Sequence, residues 1–223
     1  TQEVFKYPKA GEDNAIVSLH MLDVKSGAIS KVALDNVYYI PRIQWMHNKN
    51  MLSVQTLNRH QDVLKLYAVN AKNNKVSLLL EEKDNAYVDV TDNLTFLEND
   101  SFIWTSEKDG NNHIYLYDED GQLMNQITKG DWEVTSYYGY DQNEDRVYYQ
   151  STENGAINRD VYSIDSGGKN KKRLSSKNGQ NKADFSADFT YFINAFSSAT
   201  TPPEYSLHEA LTGKRVKEIL DNS

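Results

Sequence analysis

The segment Ile114-Tyr115-Leu116-Tyr117-Asp118 alternates side chains in the manner of a β-strand and ends on a polar turn residue. Four similar segments occur elsewhere in the 223-residue sequence. The residue before the closing Asp, Asn or Glu falls at Leu22, Val69, Tyr117, Ile164 and His208. The successive spacings are 47, 48, 47 and 44 residues. A spacing this regular indicates a tandem structural repeat.

Each repeat contains signals for short β-strands joined by tight turns. One strand-like run precedes the alternating segment and an outer strand follows it, with turn residues such as Asp120-Gly121 and Ala199–Pro203 between them. The outer strands are predicted at Ala28–Leu34, Lys75–Leu80, Gln122–Thr128, Lys171–Leu174 and Lys214–Leu220. Four antiparallel strands per repeat of this length predict the blades of an all-β propeller. The absence of 3.6-residue periodicity excludes helical repeats.

The repeats predict one partial β-propeller domain that occupies residues 1–223. Its blades are expected at about 1–40 (partial), 41–84, 85–130, 131–177 and 178–223. A blade covers its apolar faces by stacking on its neighbours. Four and a half blades therefore predict an incomplete arc of a larger ring.

Composition limits the function classes. The chain has 24 Lys and Arg against 32 Asp and Glu, a net charge of −8 that disfavours binding to nucleic acid or an anionic membrane. It contains no cysteine, which excludes disulfides, thiolate zinc sites and a cysteine nucleophile. No apolar run approaches the roughly 20 residues that span a bilayer.

No set of residues in the sequence predicts catalysis. The chain lacks the Gly-x-Ser-x-Gly motif of α/β-hydrolases. His20, His113 and His208 lie on or beside the third strands, where we expect each ring to hydrogen-bond a neighbouring blade; their spacing does not indicate a zinc site. The adjacent Glu81 and Glu82 are interpreted as a charge cluster that closes an outer strand and opens a loop. We therefore expect no metal and no cofactor.

Several stretches resemble hallmarks of the dipeptidyl peptidase IV family, in the family's order along essentially the whole chain. They are Tyr7-Pro8-Lys9-Ala10-Gly11, Tyr39–Trp45, Leu57–Gln61, Ser106–Tyr115, Thr128–Thr135 and Leu220–Ser223. The last of these resembles the place where the family's chain begins its final blade, just before the hydrolase domain. The resemblance places the chain in the prolyl oligopeptidase superfamily.

The resemblance implies a parent serine exopeptidase that releases N-terminal dipeptides with Pro or Ala in the second position. In this family an eight-bladed propeller caps a C-terminal α/β-hydrolase domain that carries the catalytic Ser, Asp and His. Both that triad and the glutamate pair that binds the substrate's free amino group would lie outside these 223 residues. This chain would then admit and orient peptide substrates without catalysing their cleavage. Members of the family are usually exported, so the resemblance also implies a location in the periplasm or at the cell surface.

The family places a Phe-Arg type substrate contact in the loop before the strand that begins here near Leu94. The corresponding stretch, Asn85–Asp92, contains neither Phe nor Arg. Its position makes Tyr87 and Asp89 the candidate substrate-binding residues, since functional residues concentrate on loops. Some members form a homodimer through an arm from the blade that includes Ala28–Trp45. The short connection from Leu34 to Tyr39 weakens the case for a dimer here.

Two other interpretations stay open at this point. The chain could be a free-standing propeller-like module that binds proteins, or the propeller of a related prolyl tripeptidyl or acylaminoacyl peptidase. A downstream Gly-x-Ser-x-Gly in the parent would exclude the first alternative. The upstream glutamate region would decide the second.

Overall fold

The computed structural model describes residues 10–35 and 37–222, so most of the Tyr7–Gly11 stretch lies outside the described residues. Over these residues the chain is all-β, with 18 strands in five antiparallel sheets. It divides into two compact units, Thr1–Val90 and Thr91–Ser223, which are described separately. Within the described ranges, the structure contains no helix with the length and apolar character needed to cross a membrane.

The first unit contains a two-stranded sheet and a four-stranded sheet. Sheet A is formed by β1 (His20–Leu22) and β2 (Ile29–Lys31). Sheet B is formed, in spatial order, by β3 (Tyr39–Trp45), β4 (Met51–Leu57), β5 (Val63–Asn70) and β6 (Val76–Lys83). Val32, at the end of the hairpin, is buried in one cluster with Leu52, Val54 and Val69. Apolar burial thus packs sheet A against sheet B.

The second unit contains three four-stranded sheets. Sheet C comprises β7 (Thr95–Phe96), β8 (Phe102–Ser106), β9 (His113–Tyr117) and β10 (Leu123–Gln126). Sheet D comprises β11 (Val134–Asp141), β12 (Arg146–Ser151), β13 (Asp160–Ile164) and β14 (Lys172–Arg173). Sheet E comprises β15 (Gln180–Phe185), β16 (Tyr191–Ser198), β17 (Thr201–Glu209) and β18 (Arg215–Leu220). In all three sheets, strands adjacent in sequence are adjacent in space.

The repeat read from the sequence corresponds to equivalent strands. Val69, Tyr117, Ile164 and His208 lie in β5, β9, β13 and β17, the third strand of each four-stranded sheet. Leu22 ends β1, the first strand of the two-stranded sheet. The predicted fold class, all-β with four-stranded antiparallel blades, is confirmed at this level. The single-domain assignment and the blade limits stay predictions.

Sheet D is packed on both faces, and two adjacent tyrosines show how. Successive strand residues point to opposite faces of a sheet. Tyr149 therefore joins the cluster shared with sheet C, where its ring stacks on Tyr162 at 5.6 Å between centroids. Tyr148 joins the cluster shared with sheet E, where its ring stacks on Phe189 at 5.3 Å. The aromatic pair therefore holds three sheets together.

Two sequence expectations about local structure are wrong. The predicted turn Ala199–Pro203 is shorter, because β17 begins at Thr201 and includes both Pro202 and Pro203. A register shift between Phe196 and Ser198 accommodates these residues, since a bulge leaves backbone groups outside the ladder. The outer strand β6 also runs to Lys83, so Glu81 and Glu82 lie within it and do not open a loop.

Candidate functional site

The predicted substrate-binding segment follows β6 and is anchored to the turn between β4 and β5. The Asp84 N–H donates to the Asp62 carbonyl at 3.1 Å, and the Val88 N–H donates to the Gln61 carbonyl at 2.8 Å. Between these points the Asp84 carboxylate accepts the Ala86 N–H at 2.7 Å. These bonds fix the path of the segment although it forms no strand.

The turn that supports the segment is itself held by Asn58. The Asn58 Oδ1 accepts the backbone N–H groups of Asp62 and Val63 at 3.2 and 3.1 Å. Its Nδ2 donates to the Asp62 carboxylate at 2.6 Å. Side-chain bonds of this kind are the reason that Asn and Asp stabilise turns. Gln61, with φ of 59°, adopts the left-handed conformation that places its carbonyl toward Val88.

Tyr87 and Asp89 flank the anchored Val88 and are exposed, with 62% of the Tyr87 surface accessible. Within the part of the chain that the structure describes, neither side chain has a hydrogen-bond or ion-pair partner. Both therefore present free polar groups on a segment of fixed path. Their assignment as substrate-binding residues stays a prediction, because no ligand tests it.

His113 and His208 hydrogen-bond to residues of their own predicted repeats, so the expected bonds from these two rings to neighbouring blades are wrong. His113 is fully buried, with Nδ1 at 3.1 Å from the Thr128 hydroxyl and Nε2 at 3.0 Å from the Gly130 carbonyl. His208 contacts the Gly213 carbonyl through Nδ1 at 3.0 Å and the Ser206 hydroxyl through Nε2 at 2.8 Å. These rings therefore hold hairpins in place. His20, in the first unit, lies with Nε2 at 3.0 Å from the nearby Ser18 hydroxyl.

The carboxylates do not form a metal site in the described structure. Over residues 10–35 and 37–222, no three His, Cys, Asp or Glu side chains converge closely enough to hold an ion. Glu81 lies opposite Lys65 in the ladder, and its carboxylate is 3.2 Å from the Lys65 ammonium. The hydrogen bond that the Lys65 ammonium donates to this carboxylate raises the pKa of Lys65. Glu81 is therefore a cross-strand ion-pair partner.

Sheet E carries a cavity of about 420 Å³ that the sequence did not reveal. Its walls include two ion pairs, Lys177 with Glu204, and Arg215 with Glu218 at 3.1 Å. The paired charges cancel, so the cavity has no net charge with which to attract an ionic ligand. The lining comes from four separate segments of the chain. No single local motif could have indicated it.

The repeated four-stranded antiparallel sheets, with partner strands adjacent in sequence and apolar clusters between successive sheets of the second unit, define a protein of the β-propeller class. The family model described as "Dipeptidyl peptidase IV (DPP IV) N-terminal region" matches residues 1–203. This chain belongs to that family. The resemblance noted in the sequence is thereby confirmed.

Individual relatives agree with the family assignment. A crystal structure of Porphyromonas gingivalis dipeptidyl peptidase 4 superimposes with a TM-score of 0.90 and 42% identity, covering 98% of this chain and 31% of that one. A putative dipeptidyl aminopeptidase IV from Bacteroides ovatus shares the fold, with a TM-score of 0.82, 23% identity, and coverage of 97% and 34%. Dipeptidyl peptidase 4 of Trichophyton rubrum is 26% identical over 97% of this chain and 30% of its own length. The chain thus spans about a third of these relatives.

Proposed function

We propose that this chain is the propeller region of a serine-type dipeptidyl peptidase and serves substrate access and orientation. The parent enzyme would release N-terminal dipeptides with Pro or Ala in the second position, and this region alone would be inactive. The observation that carries the proposal is the 42% identity to Porphyromonas gingivalis dipeptidyl peptidase 4 across 98% of the chain. The chain itself contains no Gly-x-Ser-x-Gly, so the proposal assigns catalysis to a C-terminal α/β-hydrolase domain.

Steric selection is the proposed mechanism. A stack of rigid sheets would form a passage of fixed width that only peptides with unstructured ends can enter. Holding the free amino terminus of such a peptide fixes which bond reaches the nucleophile. Orientation of this kind raises the rate as well as the specificity, because the bound geometry replaces a random encounter.

Charge would assist the approach of substrate. The net charge of −8 attracts cationic peptides and free amino termini over long distances. This contribution weakens as added salt screens the field.

We also propose that the parent enzyme is located in the periplasm or at the cell surface, and that the hydrolase domain is the partner of this propeller region. A homodimer has less support.

The proposed role of Tyr87 and Asp89 is contact with substrate residues beyond the cleaved dipeptide. Both side chains are exposed and unpaired within the described residues, so they would bind a peptide without first breaking internal bonds. Asp89 would attract basic side chains. Tyr87 offers an aromatic face for apolar ones.

The test compares the 223-residue chain with its full-length parent. A Gly-Pro chromogenic dipeptide should be cleaved by the parent and not by the chain alone. Turnover by the isolated chain, or a parent without dipeptidyl peptidase activity, would refute the proposed function.

The site is tested in the parent with longer peptides. Replacing Tyr87 with Ala or Asp89 with Asn should raise KM about fivefold with kcat unchanged, as expected for loss of a contact of about 1 kcal/mol. The exposed Tyr38→Ala and Asp120→Asn variants are the matched controls and should leave KM unaltered. Equal KM values in all four variants would remove Tyr87 and Asp89 from the site while leaving the proposed activity intact.

A further inference from the structure

Two Asn-Gly dipeptides meet at one edge of the second unit. Asn154-Gly155 lies between β12 and β13, and Asn178-Gly179 lies between β14 and β15. The Asn154 Nδ2 donates to the Asn178 Oδ1 at 3.1 Å, and both asparagines are exposed. Glycine has no side chain to hinder its own backbone nitrogen. In an Asn-Gly dipeptide this nitrogen can therefore attack the preceding side-chain amide.

The amide of Asn178 is activated by its neighbours. Its Oδ1 accepts hydrogen bonds from the Arg173 Nη2 at 2.9 Å and from Asn154. Donors on a carbonyl oxygen draw electron density from the carbon and stabilise the negative charge that develops when a nucleophile attacks. Within the described structure the Asn154 Oδ1 has no such donors. The two sites thus share their sequence and differ in electrostatics.

The attacking nitrogens also differ. The Gly155 N–H donates to the Thr152 carbonyl at 2.9 Å and is held in a turn. The Gly179 N–H has no hydrogen-bond partner within the described residues. A Cβ at Gly179 would lie 2.6 Å from the Ser197 carbonyl oxygen, so a larger residue does not fit there. Close packing therefore excludes a side chain at position 179, so the residue after Asn178 is one that does not hinder the attack.

We propose that Asn178 is a site of spontaneous deamidation. The Gly179 nitrogen loses its proton to solvent base and bonds to Cγ of Asn178. Nδ2 then takes up a proton from solvent, the Cγ–Nδ2 bond breaks, and ammonia leaves. A succinimide ring results. Water then opens the ring at either carbonyl, which yields aspartate or isoaspartate at position 178. No oxidant or reductant takes part.

The modification would alter the junction between sheets D and E. Arg173 also donates to the buried Asp160 carboxylate at 2.8 Å, and the Lys177 carbonyl accepts from Asn181 at 2.9 Å. An aspartate at position 178 adds a negative charge beside Arg173. An isoaspartate lengthens the backbone by one carbon between Lys177 and Gly179, so it displaces the groups that bridge the two sheets.

The test is peptide mapping of the folded chain after incubation at mildly alkaline pH, with isoaspartate detection at both sites. Asn178 should deamidate about tenfold faster than Asn154, as expected when donors lower a barrier by about 1.4 kcal/mol. The chain unfolded in urea is the control. There both sites should react at similar rates, because only the folded structure distinguishes them.

Variants separate activation from simple exposure. Arg173→Gln should slow the reaction at Asn178 severalfold, and circular dichroism checks that this variant remains folded. Asn154→Ala removes the second donor and leaves the Arg173–Asp160 pair in place, so it should slow the reaction less. Equal rates at both sites in the folded chain, or an unchanged rate at Asn178 in both variants, would overturn the proposal.

Discussion

Sheets D and E have the same four-stranded topology, yet their burial differs. The five residues of β13 are all buried, whereas β16 alternates between exposed and buried residues and β18 is exposed throughout. Sheet D has apolar clusters with sheet C on one face and sheet E on the other. The cluster described for sheet E involves one face alone. Within the described residues, side chains between two apolar clusters are therefore expected to contribute more to stability than exposed ones on the outer strand of sheet E.

Truncation of a large side chain should show the greatest difference between the two sheets. Tyr148 is fully buried, and its ring contacts the rings of Phe185 and Phe189. Phe192 belongs to the same cluster. Tyr148→Ala should lower the free energy of unfolding by about 3–5 kcal/mol through lost burial and a residual cavity. Urea titration measures the change. Ile193→Ala, at a position 38% exposed on sheet E, is the control and should cost less than about 1 kcal/mol.

Removing the hydroxyl of Tyr148 separates its contribution to stability from that of the packed ring. This atom is buried without a hydrogen-bond partner among the described residues, and burial raises the pKa of the phenol to about 12. Tyr148→Phe should therefore retain full stability or gain slightly, because it removes an unsatisfied polar atom. A loss as large as that of the alanine variant would show that the hydroxyl matters more than the packed ring.

Sheet D contains an ion pair with a fully buried carboxylate, Arg173–Asp160, whereas the ion pair Arg215–Glu218 in sheet E is exposed. The Asp160 Oδ1 accepts from Arg173, from Ser175 at 2.8 Å and from Asn181 at 3.2 Å, and its side chain is fully buried. Asp160→Asn should cost about 2 kcal/mol, since three donors lose a buried carboxylate while solvent still reaches part of Arg173. Glu218→Gln should cost less than about 1 kcal/mol because the Arg215–Glu218 pair is exposed. Thermal or urea unfolding of both variants would reveal equal losses if burial were irrelevant.

The smallest expected effect concerns the exposed turn between β15 and β16. Hydrogen bonds from the Ser186 hydroxyl at 2.7 Å and the Thr190 hydroxyl at 2.8 Å lower the pKa of Asp188 to about 2, from an ordinary value of 3.8. Because the folded-state pKa is depressed, this stabilisation is present above pH 3.8 and is lost as the pH falls through about 2.

The Asp188→Asn variant should therefore be slightly less stable than the unsubstituted chain above pH 3.8, and equally stable below about pH 2. Unfolding midpoints measured across the acid range provide the readout. Exposure to solvent keeps this contribution small. A constant difference between the two proteins at every pH would contradict the assignment to ionisation.

The sequence predicted what depends on local pattern. The third strand β9 (His113–Tyr117) matches the predicted segment Ile114–Asp118 within one residue at each end, because alternation and turn residues are local signals. The prolines of β17 misled the prediction, since the register shift that accommodates them depends on pairing with β16. The partners of His113 were also wrong, because no local pattern indicates which carbonyl a buried ring will reach.

The candidate site was less predictable than the fold. Position along the family pattern located the segment of Tyr87 and Asp89, but neither residue matches the family's contact. The structure adds the anchoring of Val88 to Gln61, which involves a turn more than twenty residues upstream. The cavity on sheet E and the juxtaposed Asn-Gly dipeptides depend on contacts between distant segments, so they became visible only in three dimensions.

The contiguity of strands within each sheet has a consequence for biosynthesis. Because neighbouring strands follow one another along the chain, a sheet can form from the residues that have just left the ribosome. During vectorial synthesis, Tyr148 would therefore remain solvated on one side until β15 and β16 emerge. A nascent chain that ends between β12 and β15 would expose this aromatic surface, and transiently exposed apolar surface favours aggregation.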